Sequence, residues 1–230
     1  MIGFLENSMF FGVVISLIAY GIGTVLRKKT GLAVFNPLLV SVILVIALLT
    51  VTKIDYQKYY DGAKYISYLL TPATVALAIP LHRQFELLKK NVWAIIAGIA
   101  SGALTSMLCI LGMAVLFSFD HAEYVTFLPK SITTAIGIGV SEELGGYVAI
   151  TAAVIIITGI FGNVISELVF RLFRIKEPIA RGVALGTSSH AIGTAKAMEL
   201  GETEGAMSSL SIVICGIFTV LGSMIFAQLY

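Results

Sequence analysis

Six apolar runs, at 8–26, 32–52, 64–81, 92–118, 146–170 and 205–229, occupy most of this chain. At about 1.5 Å of rise per residue, each is long enough to cross a hydrocarbon core of roughly 30 Å as a helix, the third only just. In water, so many runs would expose far too much apolar surface for one domain. Composition agrees: of 230 residues 58% are hydrophobic and 12% charged, about half the charge of a soluble domain. The sequence predicts an all-α membrane protein.

The net charge of +2 points to no nucleic-acid partner, because the bases lie in short loops between runs. Cys109 and Cys215 both fall inside apolar runs and read as small buried side chains rather than a disulfide or metal pair. At the N-terminus Glu6 precedes the first run and Arg27–Lys29 follow it, the reverse of a cleaved signal peptide, which predicts a retained first span. No metal-spaced His/Cys set, phosphate loop or nucleophile elbow occurs, so the reading is not an enzyme, with no cofactor and no metal. His82 and His121, among charged neighbours, read as solvated.

Bases concentrate at 27–29, 82–91 and 171–181, which the positive-inside rule places in the cytoplasm. Both termini are then expected outside. The lysines of 53–64 fall outside on this arrangement and run against it. The run 146–170 must start outside and end inside. Two further segments, 130–145 and 182–201, are short, rich in Gly and hydroxyls, and charged. To keep the alternation, the first dips in from outside and the second from inside. The expected architecture is about six full transmembrane helices plus two short re-entrant or broken segments.

The two short segments resemble each other. "AIGIGVSEELG" at 135–145 and "AIGTAKAMELG" at 191–201 share AIG and ELG at identical spacing, and GIF recurs at 159–161 and 216–218. Each unit, 130–170 and 182–229, is a short polar segment followed by a long span, and the two run in opposite directions across the membrane. That predicts an inverted-topology repeat in 126–230, after N-terminal helices in 1–125 that form a scaffold. In secondary transporters of this kind the site lies near the midplane, where irregular backbone lines a cavity.

The candidate site follows from that placement. In "GTSSHAIGTAKAMEL", helical spacing puts Ser189, Gly193 and Lys196 on one face, with His190 and Thr194 beside them. A small anion suits the set: Lys196 as counter-charge, Ser188, Ser189 and Thr194 as hydroxyl donors, and His190 as a donor that titrates near neutral pH. A half-helix starting near Ser188 would add free N–H groups. The other short segment contributes Ser131, Thr133 and Thr134. Glu143, aligned with Glu199, is with His190 a candidate for proton coupling; Lys130 after Pro129 reads as an anchor at the outer interface. Pro72 and Pro80 kink the third run near Thr71, a further candidate lining residue. Asn163, a lone polar group in a long run, predicts an interhelical hydrogen bond.

"LPKSITTAIGIGVSEELGG", "RIKEPIARGVALGTSSHAIGTAKAMELGETEGAMSSL" and "LLTPATVALAIPLHRQ" resemble the LrgB/CidB family over essentially the whole chain, most specifically in 180–204. The family pattern has a proline after the double threonine, where this chain has Ala135. The resemblance implies a multi-pass bacterial membrane protein, often made with a smaller LrgA/CidA-type membrane partner. It implies antiholin- or holin-like control of murein hydrolase activity and autolysis. It also implies, through plastid and bacterial relatives, movement of glycolate, glycerate or pyruvate. The residues favour the transport side: a carrier needs a repeat and a central polar cluster, whereas a pore needs neither. The expectation is a secondary transporter of a small monocarboxylate with alternating access, assembled as a homodimer. The runner-up is an antiholin/holin-like pore or regulatory protein.

Overall fold

The computed structural model describes residues 10–32 and 35–230, and all secondary structure among them is helical. Readings that rest on 1–9 (Glu6, the start of the first run, the outer N-terminus) and on 33–34 lie outside the described residues. By packing the chain divides into two units, up to Ala76 and from Leu77 onward.

In the first unit α1 (Phe11–Thr30) packs against α2 (Pro37–Thr52) and α3 (Tyr56–Ser67), and α4 (Leu70–Ala76) follows. Close approach is made by glycine: a Cβ on Gly23 would lie 2.8 Å from Pro37 Cα, and one on Gly12 would strike the backbone of Tyr59 and Ala63. Ser16 Oγ and Tyr59 OH share a 2.7 Å hydrogen bond beside it.

Five helical runs are long and apolar enough to cross a membrane: Phe11–Thr30, Tyr56–Arg83, Phe85–Phe117, Val148–Leu172 and Glu202–Phe226. The expectation of six changes at two places. The second run becomes a helix of 16 residues, because Asn36 accepts from Leu38 and Leu39 N–H and Pro37 occupies the first helical position, fixing the start well inside the run. The third is not one helix. Pro72 cannot donate to Tyr68 and Pro80 cannot donate to Ala76, so the chain breaks ahead of each into α3, α4 and α5 (Ala78–Arg83). Each proline then sits in a first turn, where the missing N–H costs nothing.

The second unit continues with α6 (Phe85–Phe117), α7 (His121–Phe127), α8 (Thr134–Glu143), α9 (Val148–Leu172), α10 (Pro178–Leu200) and α11 (Glu202–Phe226). Two hairpins in it enter from opposite ends of α9. The first is α7 and α8. Thr126 accepts from Tyr147 N–H and, through its carbonyl, from Thr151 Oγ1, while Ser141 Oγ lies 2.6 Å from the same Thr151 oxygen. A Cβ on Gly137 would meet Pro129 O at 3.3 Å. Residue 126 thus pairs with 141 and 129 with 137, so the arms are antiparallel and the tip is 128–133. The outgoing arm begins at 121, between the fourth apolar run and the short segment at 130. Asp120 and Glu123 close a capping box there, each side chain bonding the other's main-chain N–H, a D-x-x-E signal present in the sequence.

The second hairpin is α10. Its backbone leaves helical geometry at His190, φ 43° and ψ −134°. Before the break, Gly182 faces Glu204 and Met207, and Gly186 faces Ser208 and Ser211, so 178–189 runs alongside α11 in the same direction. After it, Thr194 bonds Ser208 at 2.7 Å and Met198 packs on Gly205, so 191–200 runs the other way. The chain therefore reverses at His190 and returns to the end it entered from. Two GxxxG spacings make room: Gly182 and Gly186 seat the outgoing arm on α11, and Gly98 and Gly102 of α6 receive Val183 and Thr187 of the same arm. Behind this contact Ile95, Ile99 and Ala103 close over Val183, Met207 and Cys215.

Candidate functional site

Both hairpin tips reach the middle of α9. The His190 ring packs on Gly159 and its Nε2 donates to the Ile155 carbonyl at 3.0 Å. From the other side Gly137 meets the Ile155 side chain. Asn163 Nδ2 donates to Ile192 O at 3.1 Å, the interhelical bond expected of it.

Between α6, α9 and the outgoing arm of α10 lies a cavity of about 950 Å³. Asn91 and Glu177 line it near the base of the second hairpin, and most of its wall is apolar. Hydroxyls gather toward the tips: Ser106, Thr158, Ser188, Ser189 and, from the first hairpin, Ser131. Lys130 stands among them, half-buried, its Nζ donating to Ser131 Oγ at 3.0 Å, with Ser106 Oγ 3.2 Å from the same oxygen. No carboxylate pairs with Lys130 among the described residues. A cation at this depth is costly unless a partner or wet cavity meets it. Thr187, also on the wall, has its Oγ1 buried with no hydrogen-bond partner. A cavity with one unpaired cation and convergent hydroxyls can hold a small anion and orient it.

The structure brings together Ser131, Ser188 and Ser189 of the expected set. The others are elsewhere. His190 is buried against α9 behind the cavity wall; Gly193 packs on Leu185 O and Ser189 within the hairpin; Thr194 donates to its own main chain at His190 and meets Ser208. Lys196 is buried and paired with Glu167 and Glu199 toward the hairpin base. Thr133 and Thr134 open α8 at the tip without lining the cavity, and Glu143 is exposed at its far end. Thr71 is exposed, in the first unit. The half-helix start expected near Ser188 falls at 191, after the reversal. Lys130 and Thr187 were missed. The sequence carried no signal for Lys130: a segment taken to start at 130 put it at the outer end, whereas the hairpin begins at 121 and Lys130 falls in its turn. Among the described residues no three His, Cys, Asp or Glu side chains gather to hold a metal.

The model of the LrgB-like family matches residues 16–229. The chain belongs to the LrgB family. It is 42% identical over 213 residues to the antiholin-like protein LrgB of Bacillus cereus (strain B4264), covering 92% of this chain and 93% of that one. The antiholin-like protein LrgB of Bacillus anthracis (strain A0248) matches with the same identity and coverage. No solved structure matches. Family and apolar helices together make it a multi-pass membrane protein.

Proposed function

We propose that this LrgB-family chain is an antiholin-like protein of the bacterial cell membrane, acting on murein hydrolase activity and autolysis, and that its molecular activity is carriage of a small monocarboxylate. The first half, the runner-up from the sequence, is supported by the antiholin-like name of relatives that match nearly the whole chain.

The second half rests on one observation: Lys130 stands without a carboxylate partner at the hairpin-tip end of a cavity lined with hydroxyls. A pyruvate, glycolate or glycerate carboxylate would take that cation, with Ser131, Ser106 and Ser188 or Ser189 as donors. We read 130–170 and 182–229 as an inverted repeat, each unit a piece of hairpin followed by a span, so that alternating access exchanges one tip for the other. Coupling to protons through His190 or Glu143, a dimeric assembly and an LrgA/CidA-type partner belong to the same proposal. So does the orientation, with the bases of 171–181 in the cytoplasm.

The test is uptake of labelled pyruvate and glycolate into proteoliposomes of the purified chain that also hold a trapped dye, with and without an inward proton gradient. Saturable uptake with the dye retained supports a carrier. Dye loss supports a pore and overturns carriage. If neither solute moves, alone or with the smaller partner added, carriage fails while the antiholin-like role stands on its own.

A further inference from the structure

A second pocket, of about 430 Å³, opens at the base of the α10 hairpin, where α9 ends and α10 begins. Four cations line it: Arg171, Arg174, Lys176 and Arg181. Its carboxylate, Glu167, is paired with Lys196. Arg171, Arg174 and Lys176 form no ion pair among the described residues. Arg181 is held in place, Nε donating to Ile175 O at 2.8 Å and the guanidinium 5.7 Å above the Phe170 ring. Arg174 has φ 55°, in a helix-ending turn closed by Ile175 N–H to Phe170 O, a position where glycine is usual. Beside the pocket Leu172 and Phe173 are 71% and 69% exposed.

We propose that this pocket binds the phosphate of an anionic phospholipid. Guanidinium groups match phosphate oxygens in forked pairs, and no carboxylate among the described residues forms an ion pair with these three bases. The pocket lies where a membrane helix leaves the hydrocarbon, and the exposed Leu172 and Phe173 offer acyl chains a surface beside the headgroup. Free phosphate shares the headgroup chemistry but gains nothing from those apolar neighbours. A lipid there would brace the base of the hairpin whose outgoing arm walls the main cavity.

Native mass spectrometry of the full chain in detergent tests this with phosphatidylglycerol, diphosphatidylglycerol and phosphatidylcholine. Anionic lipid should be retained over phosphatidylcholine by on the order of tenfold or more. The combined R171Q, R174G and K176Q variant should lose that preference, and because Arg174→Gly relaxes the left-handed turn it should fold at least as readily. A second variant, R27Q with K28Q and K29Q, removes as many bases elsewhere and should keep the preference. Equal retention of all lipids overturns the proposal, as does equal loss in both variants, which would report net charge alone. Displacement of the lipid by millimolar inorganic phosphate would assign the pocket to free phosphate and overturn the lipid source.

Discussion

The Nε2 of His190 donates to the main-chain carbonyl of Ile155 at 3.0 Å, and that bond ties a hairpin tip to the middle of a membrane-spanning helix. The ring stands where a Cβ on Gly159 would collide with it, so a short sequence element is wedged at mid-depth by one imidazole and one missing side chain.

His190 occupies φ 43°, ψ −134°, a conformation that glycine adopts freely and side chains resist. In a continuous helix Gly is worse than Ala by about 1 kcal/mol. At this reversal the order should invert. Both His190→Gly and His190→Ala lose the bond to Ile155, but only Ala keeps the strain, so Ala should be the less stable by about 1 kcal/mol or more. Thermal unfolding in detergent reads this directly. An Ala variant more stable than the Gly variant would mean that α10 runs straight.

Gly162 sits under Ser189, and a Cβ there would overlap the serine Oγ. Gly162→Ala should cost about 1–3 kcal/mol through overpacking. Adding Ser189→Gly should return a large part of it, giving a favourable coupling term in a double-mutant cycle. Gly139, with nothing within 4 Å of its Cβ position, is the control: Gly139→Ala should leave stability equal or slightly raised. Additive effects at 162 and 189 would contradict the packing.

Two lysines lie in the hairpins and should behave differently. Lys130→Met should weaken solute binding by about 10- to 100-fold, the value of a charge-assisted hydrogen bond, with little loss of stability. Lys196→Met removes the partner of Glu167 and should lower stability by about 1–3 kcal/mol while leaving affinity unchanged. Substrate affinity and melting temperature measured on both variants decide it. The opposite pattern would place the solute at Lys196.

Cys109 lines the main cavity and Cys215 is 1% exposed. A charged thiosulfonate reagent should label the native chain at Cys109 alone, and saturating pyruvate should slow that labelling several-fold. Mass measurement of the labelled peptides checks both points. An unreactive Cys109 in intact membranes would mean that this end of the cavity is dry.

Much of this was legible along the chain. Asn163 alone in an apolar run had to find a partner on another helix, and it found Ile192 O. Pro72 and Pro80 announced the breaks in the third run, although not that three separate helices would result. The ELG endings of the two short segments look equivalent but are not. Gly145 takes φ 83° and closes a helix end, whereas Gly201 is extended and α11 starts at once. Identical residues diverge because their successors differ: Gly145 leads into a short loop, Gly201 directly into a helix.

By itself the sequence determined that this chain lives in a membrane, since apolar length and low charge act locally. Tertiary structure alone decided which lysine meets the cavity. Periodicity places Lys196 on a face of its helix but is silent on what covers that face, and Glu167, twenty-nine residues away, covers it. Lys130 keeps its charge unpaired because the reversals at 128–133 and at His190 bring α6, α9 and both hairpins together around a space that no one segment encodes.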